Sequence, residues 1–200
     1  MIESETLITF FAASVLLALA PGPDNIFVLT QSVLRGRKAG IAIMFGLCTG
    51  LIVHTAAVAF GVAVIFQTSA IAFSLLKYTG AAYLVYLAWQ AFRASNEKIQ
   101  NASGEEIRLR KLYCRGILMN ITNPKVSLFF LAFLPQFADP SRGAVSLQIF
   151  ALGSVFIFAT ILIFGGIAFL AGSIAQILNR SEQFQKILNS VAGIVFLGLA

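Results

Sequence analysis

Charge is what this chain has least of. Only 11% of its 200 residues are Asp, Glu, Lys or Arg, against about 25% in soluble domains. With 58% apolar residues and a mean hydropathy of +0.89, a soluble globular domain is excluded. Histidine occurs once and cysteine twice, and Cys48 and Cys114 form no CxxC pair. Both cysteines read as small core residues rather than redox groups. There is no Walker A sequence, no metal-ligand spacing and no Ser/His/Asp set, so neither an enzyme nor a cofactor or metal site is expected. The net charge of +6 and pI of 9.7 would suit nucleic acid. However, the bases cluster in short polar segments between apolar ones, the pattern of cytoplasmic loops, so nucleic acid is not expected as a partner.

Long apolar runs are what the sequence has instead. About 20 apolar residues cross the ~30 Å hydrocarbon core, and the runs number six. The predicted spans are Thr6–Leu34, Ala39–Phe66, Ile71–Phe92, Leu112–Phe137, Val145–Leu170 or a little beyond, and Phe184–Ala200. The last is short, so its helix either begins nearer Glu182 or ends just inside the outer face. Ala18-Leu19-Ala20 resembles a signal-peptide cleavage site. Yet Glu3 and Glu5 stand where a signal needs positive charge, and Pro21 would follow the cut, so the segment is expected to stay as the first helix. The only long polar stretch, Arg93 to Lys111, reads as a linker. The organisation is therefore a three-helix unit over 1–94, a cytoplasmic linker over 95–111 and a second three-helix unit over 112–200.

Counting Lys and Arg in the connections gives the orientation. Arg35, Arg37 and Lys38 follow span one; Arg93, Lys98, Arg108, Arg110, Lys111 and Arg115 surround the linker; Arg180 and Lys186 separate spans five and six. The acidic N-terminus, an uncharged two-three turn and a four-five loop with Arg142 beside Asp139 alternate with these. Every basic connection thus falls on one side, which predicts six spans with both termini periplasmic.

Two of the spans are interrupted. Pro21-Gly22-Pro23-Asp24-Asn25 breaks the first and Asn123-Pro124-Lys125 breaks the fourth. Proline removes a helix hydrogen bond and a charge in hydrocarbon is costly. Such backbone survives in a bilayer only where protein covers it or where it lines a water-filled cavity. Superposing Pro23 on Pro124 pairs Asp24 with Lys125 and Phe27-Val28-Leu29 with Leu128-Phe129-Phe130. Three spans is an odd number, so a duplicated three-span unit lies inverted in the membrane. Broken helices at matching places of inverted halves point to a binding site. The fold class expected is an all-α membrane protein of two inverted three-helix repeats, each with a broken first helix.

Asp24 and Lys125 are the ionisable residues at the breaks. They read either as a structural ion pair or as the poles of a midplane cavity for an amphoteric solute, the carboxylate facing an ammonium and the ammonium a carboxylate. Asp24 is also a candidate carrier of the coupling proton. Asn25 and Asn123, beside Pro23 and Pro124, suit helix caps and equally offer amides to a substrate. His54, mid-span, reads as a proton relay or as a ring packed on a helix backbone. Lys77 is expected to snorkel, and Trp89, Tyr83 and Tyr86 with Arg93 to form an interfacial belt. Gly46 and Gly50 form a GxxxG and Gly165-Gly166 a second small site; such positions let helices approach closely, within one chain or between copies in a homo-oligomer.

Taken together, several segments resemble the LysE/RhtB family of bacterial amino-acid exporters (translocators). They are Ala20-Pro21-Gly22-Pro23-Asp24-Asn25, Gly36-Arg37-Lys38-Ala39-Gly40, Lys77-Tyr78-Thr79-Gly80-Ala81-Ala82-Tyr83-Leu84, Asn123-Pro124-Lys125 with Phe129-Phe130, and Pro135-Gln136-Phe137. The resemblance implies efflux of an amino acid or close derivative across the inner membrane, driven by the proton motive force. A small zwitterion such as homoserine, threonine or another neutral amino acid is the substrate expected. An ion or metal exporter would need a run of intramembrane carboxylates, histidines or cysteines. A thiol-disulfide electron carrier would need one cysteine at corresponding places of the two halves, whereas Cys48 lies in span two and Cys114 opens span four.

Overall fold

The computed structural model describes residues 2–68, 70–93, 108–180 and 182–199. The linker expected over 95–111 lies largely outside them. Every regular element described is helical: α1 (Ser4–Leu19), α2 (Pro23–Arg35), α3 (Arg37–Thr68), α4 (Ala70–Arg93), α5 (Leu109–Thr122), α6 (Pro124–Leu128), α7 (Val145–Arg180) and α8 (Glu182–Leu199). A π-turn over Phe129–Phe133 and a 3-10 turn over Leu134–Phe137 extend α6, and a further 3-10 turn occupies Pro140–Arg142.

This is an all-α, multi-pass membrane fold. The apolar stretches Arg37–Gly61 of α3 and Val145–Ile174 of α7 hold 25 and 30 residues, about 37 and 45 Å of helix, enough to cross hydrocarbon. Two bent pairs become candidate spans if each is one crossing: α1 with α2, bent by 61°, and α5 with Pro124–Phe137, bent by 52°. Both bends occur where the sequence places proline, and the physical cause is the missing N–H. One boundary differs from expectation: helix α7 runs ten residues past Leu170, while α8 starts at Glu182, one of the two alternatives for the short last span. Arg180 and Lys186 therefore lie within helices rather than in an open loop, because nothing in 171–180 breaks a helix.

Side-chain contacts fix the direction of each helix. Arg37 lies over the Phe169 ring at 5.6 Å and Phe60 meets Phe150 at 5.9 Å, so α3 and α7 are antiparallel. Phe11 stacks near Phe158 at 6.1 Å and Glu3 reaches Arg142, so α1 and α7 run together. Gly46 packs on Gly116, and His54 on Asn120, so α3 and α5 also run together. As a result Glu3 and the 138–144 connection share one end of the bundle, and Arg35 and Arg37 lie at the other.

The core has two characters. Towards the Glu3 end it is aromatic, with Phe10, Phe129, Phe130 and Phe156 buried; Phe129 and Phe130 lie 5.2 and 5.1 Å from Phe156. Towards the Arg37 end it is built from small and aliphatic residues, among them Ala39, Ile43, Met44, Leu47, Cys48 and Ala168. At the α3–α5 seam a Cβ on Gly46 would strike the Tyr113 carbonyl, and one on Gly50 would come within 2.6 Å of Asn120 Oδ1. The GxxxG thus serves packing within the chain. At Gly166 a Cβ would meet open space, and at Gly165 only Met44 Sδ, 3.7 Å away, so that pair does not bring two helices close.

Candidate functional site

The breaks are best understood by asking where each freed carbonyl finds a donor. Pro21 has no N–H for Leu17 O four residues back. That carbonyl takes a hydrogen bond from Lys125 Nζ at 3.3 Å, and the same ammonium donates to Ala20 O at 3.0 Å. Asn25 Nδ2 donates to Ala18 O at 2.7 Å. Pro124 likewise deprives Asn120 O, which accepts from Asn123 N at 3.1 Å and His54 Nε2 at 3.2 Å. A carbonyl only accepts, so the proton on this edge of His54 sits on Nε2.

The two breaks lie against each other. Asn123 Nδ2 donates to Asp24 Oδ2 at 2.9 Å, and Asn123 Oδ1 accepts from Lys125 N at 3.0 Å, which caps α6. Asp24, Asn123 and Lys125 are buried, at 3%, 4% and 7% exposed. Asp24 suits its helix end, standing in the first turn of α2 where the backbone dipole is positive, and Lys125, although it opens α6, reaches its ammonium to the negative end of α1. Asp24 and Lys125 make no direct ion pair; Asn123 links them. Depth follows from helix length: the 13 residues of α2 place the break about 20 Å from the Arg35 end.

Of the residues expected at the site, Asp24, Asn25, Asn123 and Lys125 come together, and His54 joins them through Asn120. Pro23 and Pro124 face outward and act by what their backbone lacks. The His54 ring is half-buried and lies 5.7 Å from Phe130, the arrangement of a ring packed on a broken helix. Asn120 was not anticipated. It is buried, its Oδ1 has no donor, and its carbonyl carries the second break. Its position four residues before Pro124 is the signal from which it was readable.

A cavity of about 380 Å³ opens at the Glu3 end, lined by Glu3, Glu5, Thr9, Gln136, Asp139 and Arg142 among others. Arg142 joins Glu3 at 2.6 Å and Asp139 at 3.0 Å, tying α1 to the 138–144 connection. Hydrogen bonds from Ser141 and Arg142 hold the Asp139 carboxyl below its ordinary value. On α4, Arg93 lies 4.4 Å over Trp89, which continues through Tyr86 to Tyr83 as a ladder of rings. Lys77 is exposed beside Tyr78.

Residues 15–200 match the family described as LysE type translocator. The chain belongs to that family. A homoserine/homoserine lactone efflux protein of Salmonella typhimurium is 34% identical over 188 residues, 94% of this chain and 90% of the relative. The Salmonella typhi protein of the same name is 35% identical over the same coverage. An uncharacterized membrane protein of Vibrio cholerae is 29% identical over 191 residues, 96% of this chain and 92% of that one. No solved structure matches. LysE translocators are transporters and not enzymes, and this chain is a membrane exporter of that family. Among the described residues no group of three His, Cys, Asp or Glu side chains is placed to hold a metal.

Proposed function

We propose that this translocator exports a small zwitterionic amino acid or close derivative, homoserine, threonine or another neutral amino acid, using the proton motive force across the bacterial inner membrane. The observation that carries this is the meeting of the two breaks through the Asn123–Asp24 hydrogen bond. It brings an acid, a base and two amides to one buried level of an otherwise apolar bundle. The relatives named for homoserine and its lactone support the substrate class. Asp24, as a buried carboxyl at the substrate's level, is the group proposed to carry the coupling proton.

Six spans in two inverted halves, 1–94 and 112–200, are part of the same reading. Its support is the pairing of helices. With α1 matched to α5, α3 to α7 and α4 to α8, the parallel α1–α7 contact answers the parallel α3–α5 contact, and the α3–α7 and α4–α8 contacts map onto themselves. Both termini and the 138–144 connection are assigned to the periplasm and Arg35–Lys38 to the cytoplasm. An impermeant thiol reagent applied to intact cells, in a background lacking native cysteines, should label Ser141→Cys and spare Arg37→Cys. Labelling of Arg37→Cys would reverse the orientation.

Counterflow in proteoliposomes against a panel of amino acids tests the function. Neutral amino acids should exchange faster than lysine or arginine, because the described site has a single carboxylate and the α-ammonium engages it. Exchange stimulated by a metal ion and insensitive to every amino acid would overturn the reading.

A further inference from the structure

Side-chain donors and acceptors at the two breaks are unequally occupied. The side-chain nitrogens already donate to the protein: Asn25 Nδ2 to Ala18 O, Asn123 Nδ2 to Asp24 Oδ2, and Lys125 Nζ to both Leu17 O and Ala20 O. The side-chain oxygens are only partly engaged: Asp24 Oδ2 and Asn123 Oδ1 accept hydrogen bonds, whereas Asp24 Oδ1 and Asn25 Oδ1, with Asn120 Oδ1 at the second break, are buried without a hydrogen-bond partner, and Asp24 itself is 3% exposed. Buried polar atoms in native proteins nearly all find a partner, so the unengaged oxygens of Asp24 and Asn25, consecutive in the chain and beside engaged donors, describe a place for a group that brings hydrogens.

Lys125 is poorly placed to be shared with a ligand. Its ammonium caps carbonyls that have no other donor because of Pro21 and the end of α1, and turning it away would leave them bare within the bilayer. It is also confined: a Cβ on Gly22 would stand 3.1 Å from Nζ and 3.6 Å from Cε. Gly22 therefore leaves room for the lysine, and the lysine holds the broken end of α1 against α6.

We propose that the exported solute is held by its ammonium group, on Asp24 Oδ1 and Asn25 Oδ1, and that Lys125 is a positioning residue bracing α1 rather than the partner of a substrate carboxylate. The inference rests on the exporter reading above and divides the roles within its site. The substrate class it names is primary amines of amino-acid size, including those whose carboxylate is capped as an amide.

The test is competition for counterflow. Radiolabelled homoserine, or the best-exchanged neutral amino acid of the panel, is competed by its own unlabelled form, its α-amide and its N-acetyl derivative. The amide should inhibit within about threefold of the acid, and the N-acetyl form at least about tenfold more weakly. In Lys125→Gln, whose amide still donates to the carbonyls, acid and amide should weaken together with their ratio unchanged. A wild-type preference for the acid of about tenfold or more, erased in Lys125→Gln, would assign Lys125 to the carboxylate and overturn the proposal. Equal inhibition by the N-acetyl form would overturn it as well. If Lys125→Gln does not accumulate in the membrane, the wild-type ratio alone decides, near-equality supporting the proposal and a tenfold preference ending it. Exchange of no amino acid at all would remove the exporter reading and this inference with it, a result distinct from the others.

Discussion

The break after α1 spans three residues and leads into α2 without a side-chain cap, whereas the break after α5 is the single residue Asn123, whose side-chain oxygen caps α6. The first depends on groups from the other half of the chain: Lys125 covers its carbonyls and Asn123 holds its carboxylate. The second needs little from the first, because Asn123 and His54 meet its backbone. Two oxygens without a partner, Asp24 Oδ1 and Asn25 Oδ1, stand at the first break and one, Asn120 Oδ1, at the second, while the donors that brace the first break from across the bundle come from Asn123 and Lys125. In the proposed reading the first break receives the solute and the second braces it, so substitutions at the two breaks should separate.

The largest effect is expected at Asp24. Asp24→Asn keeps size and the Asn123 contact while removing charge and titration, and should abolish gradient-driven efflux at near-normal membrane abundance. Efflux from loaded vesicles, with and without an imposed pH gradient, measures it; a wild-type rate with retained pH dependence would make Asp24 structural. The exchange Asp24→Lys with Lys125→Asp should give no recovery, since the two make no direct pair.

Lys125→Met should act through the fold instead. It leaves Leu17 O and Ala20 O buried without donors, at about 1–3 kcal/mol each. Lower melting temperature in detergent and lower abundance should result, with Lys125→Gln recovering much of both. If the methionine variant melts like wild type, the brace is not one.

Asn123→Ala should be intermediate. It removes a cap worth about 1 kcal/mol and a hydrogen bond to a charged group worth about 1.5–3 kcal/mol. Efflux should fall and stability with it, while Asn25→Ala, at the matching break, should weaken substrate affinity more than stability. Equal profiles for the two would erase the distinction between the breaks.

His54 should matter less. His54→Gln keeps a donor for Asn120 O and should export nearly as wild type, whereas His54→Leu should lose about 0.6–1 kcal/mol of stability. Loss of proton coupling in His54→Gln would instead assign the relay role to the ring. The smallest effect is expected at the Glu3 end. Glu3→Gln should leave melting temperature and efflux unchanged, because the pair with Arg142 is exposed. The Asp139 carboxyl lies below its ordinary value, so its hold on the 139–142 turn is present through neutral pH. It is lost only when acid passes below the ordinary carboxylate range.

Much of this was legible beforehand for identifiable reasons. Proline at 21, 23 and 124 fixed both bends, because the lost N–H is a property of the residue wherever it sits. Asn123 was readable as a cap, and Gly46 with Gly50 as a close approach. Asn120 was missed because its role comes from a proline four residues away and a histidine on another helix. The end of α7 was misjudged because a helix continues past its apolar stretch whenever no breaker stops it.

What the chain alone determined is membrane residence, helical secondary structure, the two breaks and the chemistry gathered at them. These follow from composition and from single-residue backbone constraints, which act locally. Only the tertiary structure decided which group meets which. Asp24 and Lys125, opposite charges at the two breaks, read in one dimension either as an ion pair or as two poles facing a solute. In three, a lysine's reach of several ångströms lets it turn to the carbonyls that proline left bare. The carboxylate keeps one oxygen for Asn123 and leaves the other without a partner.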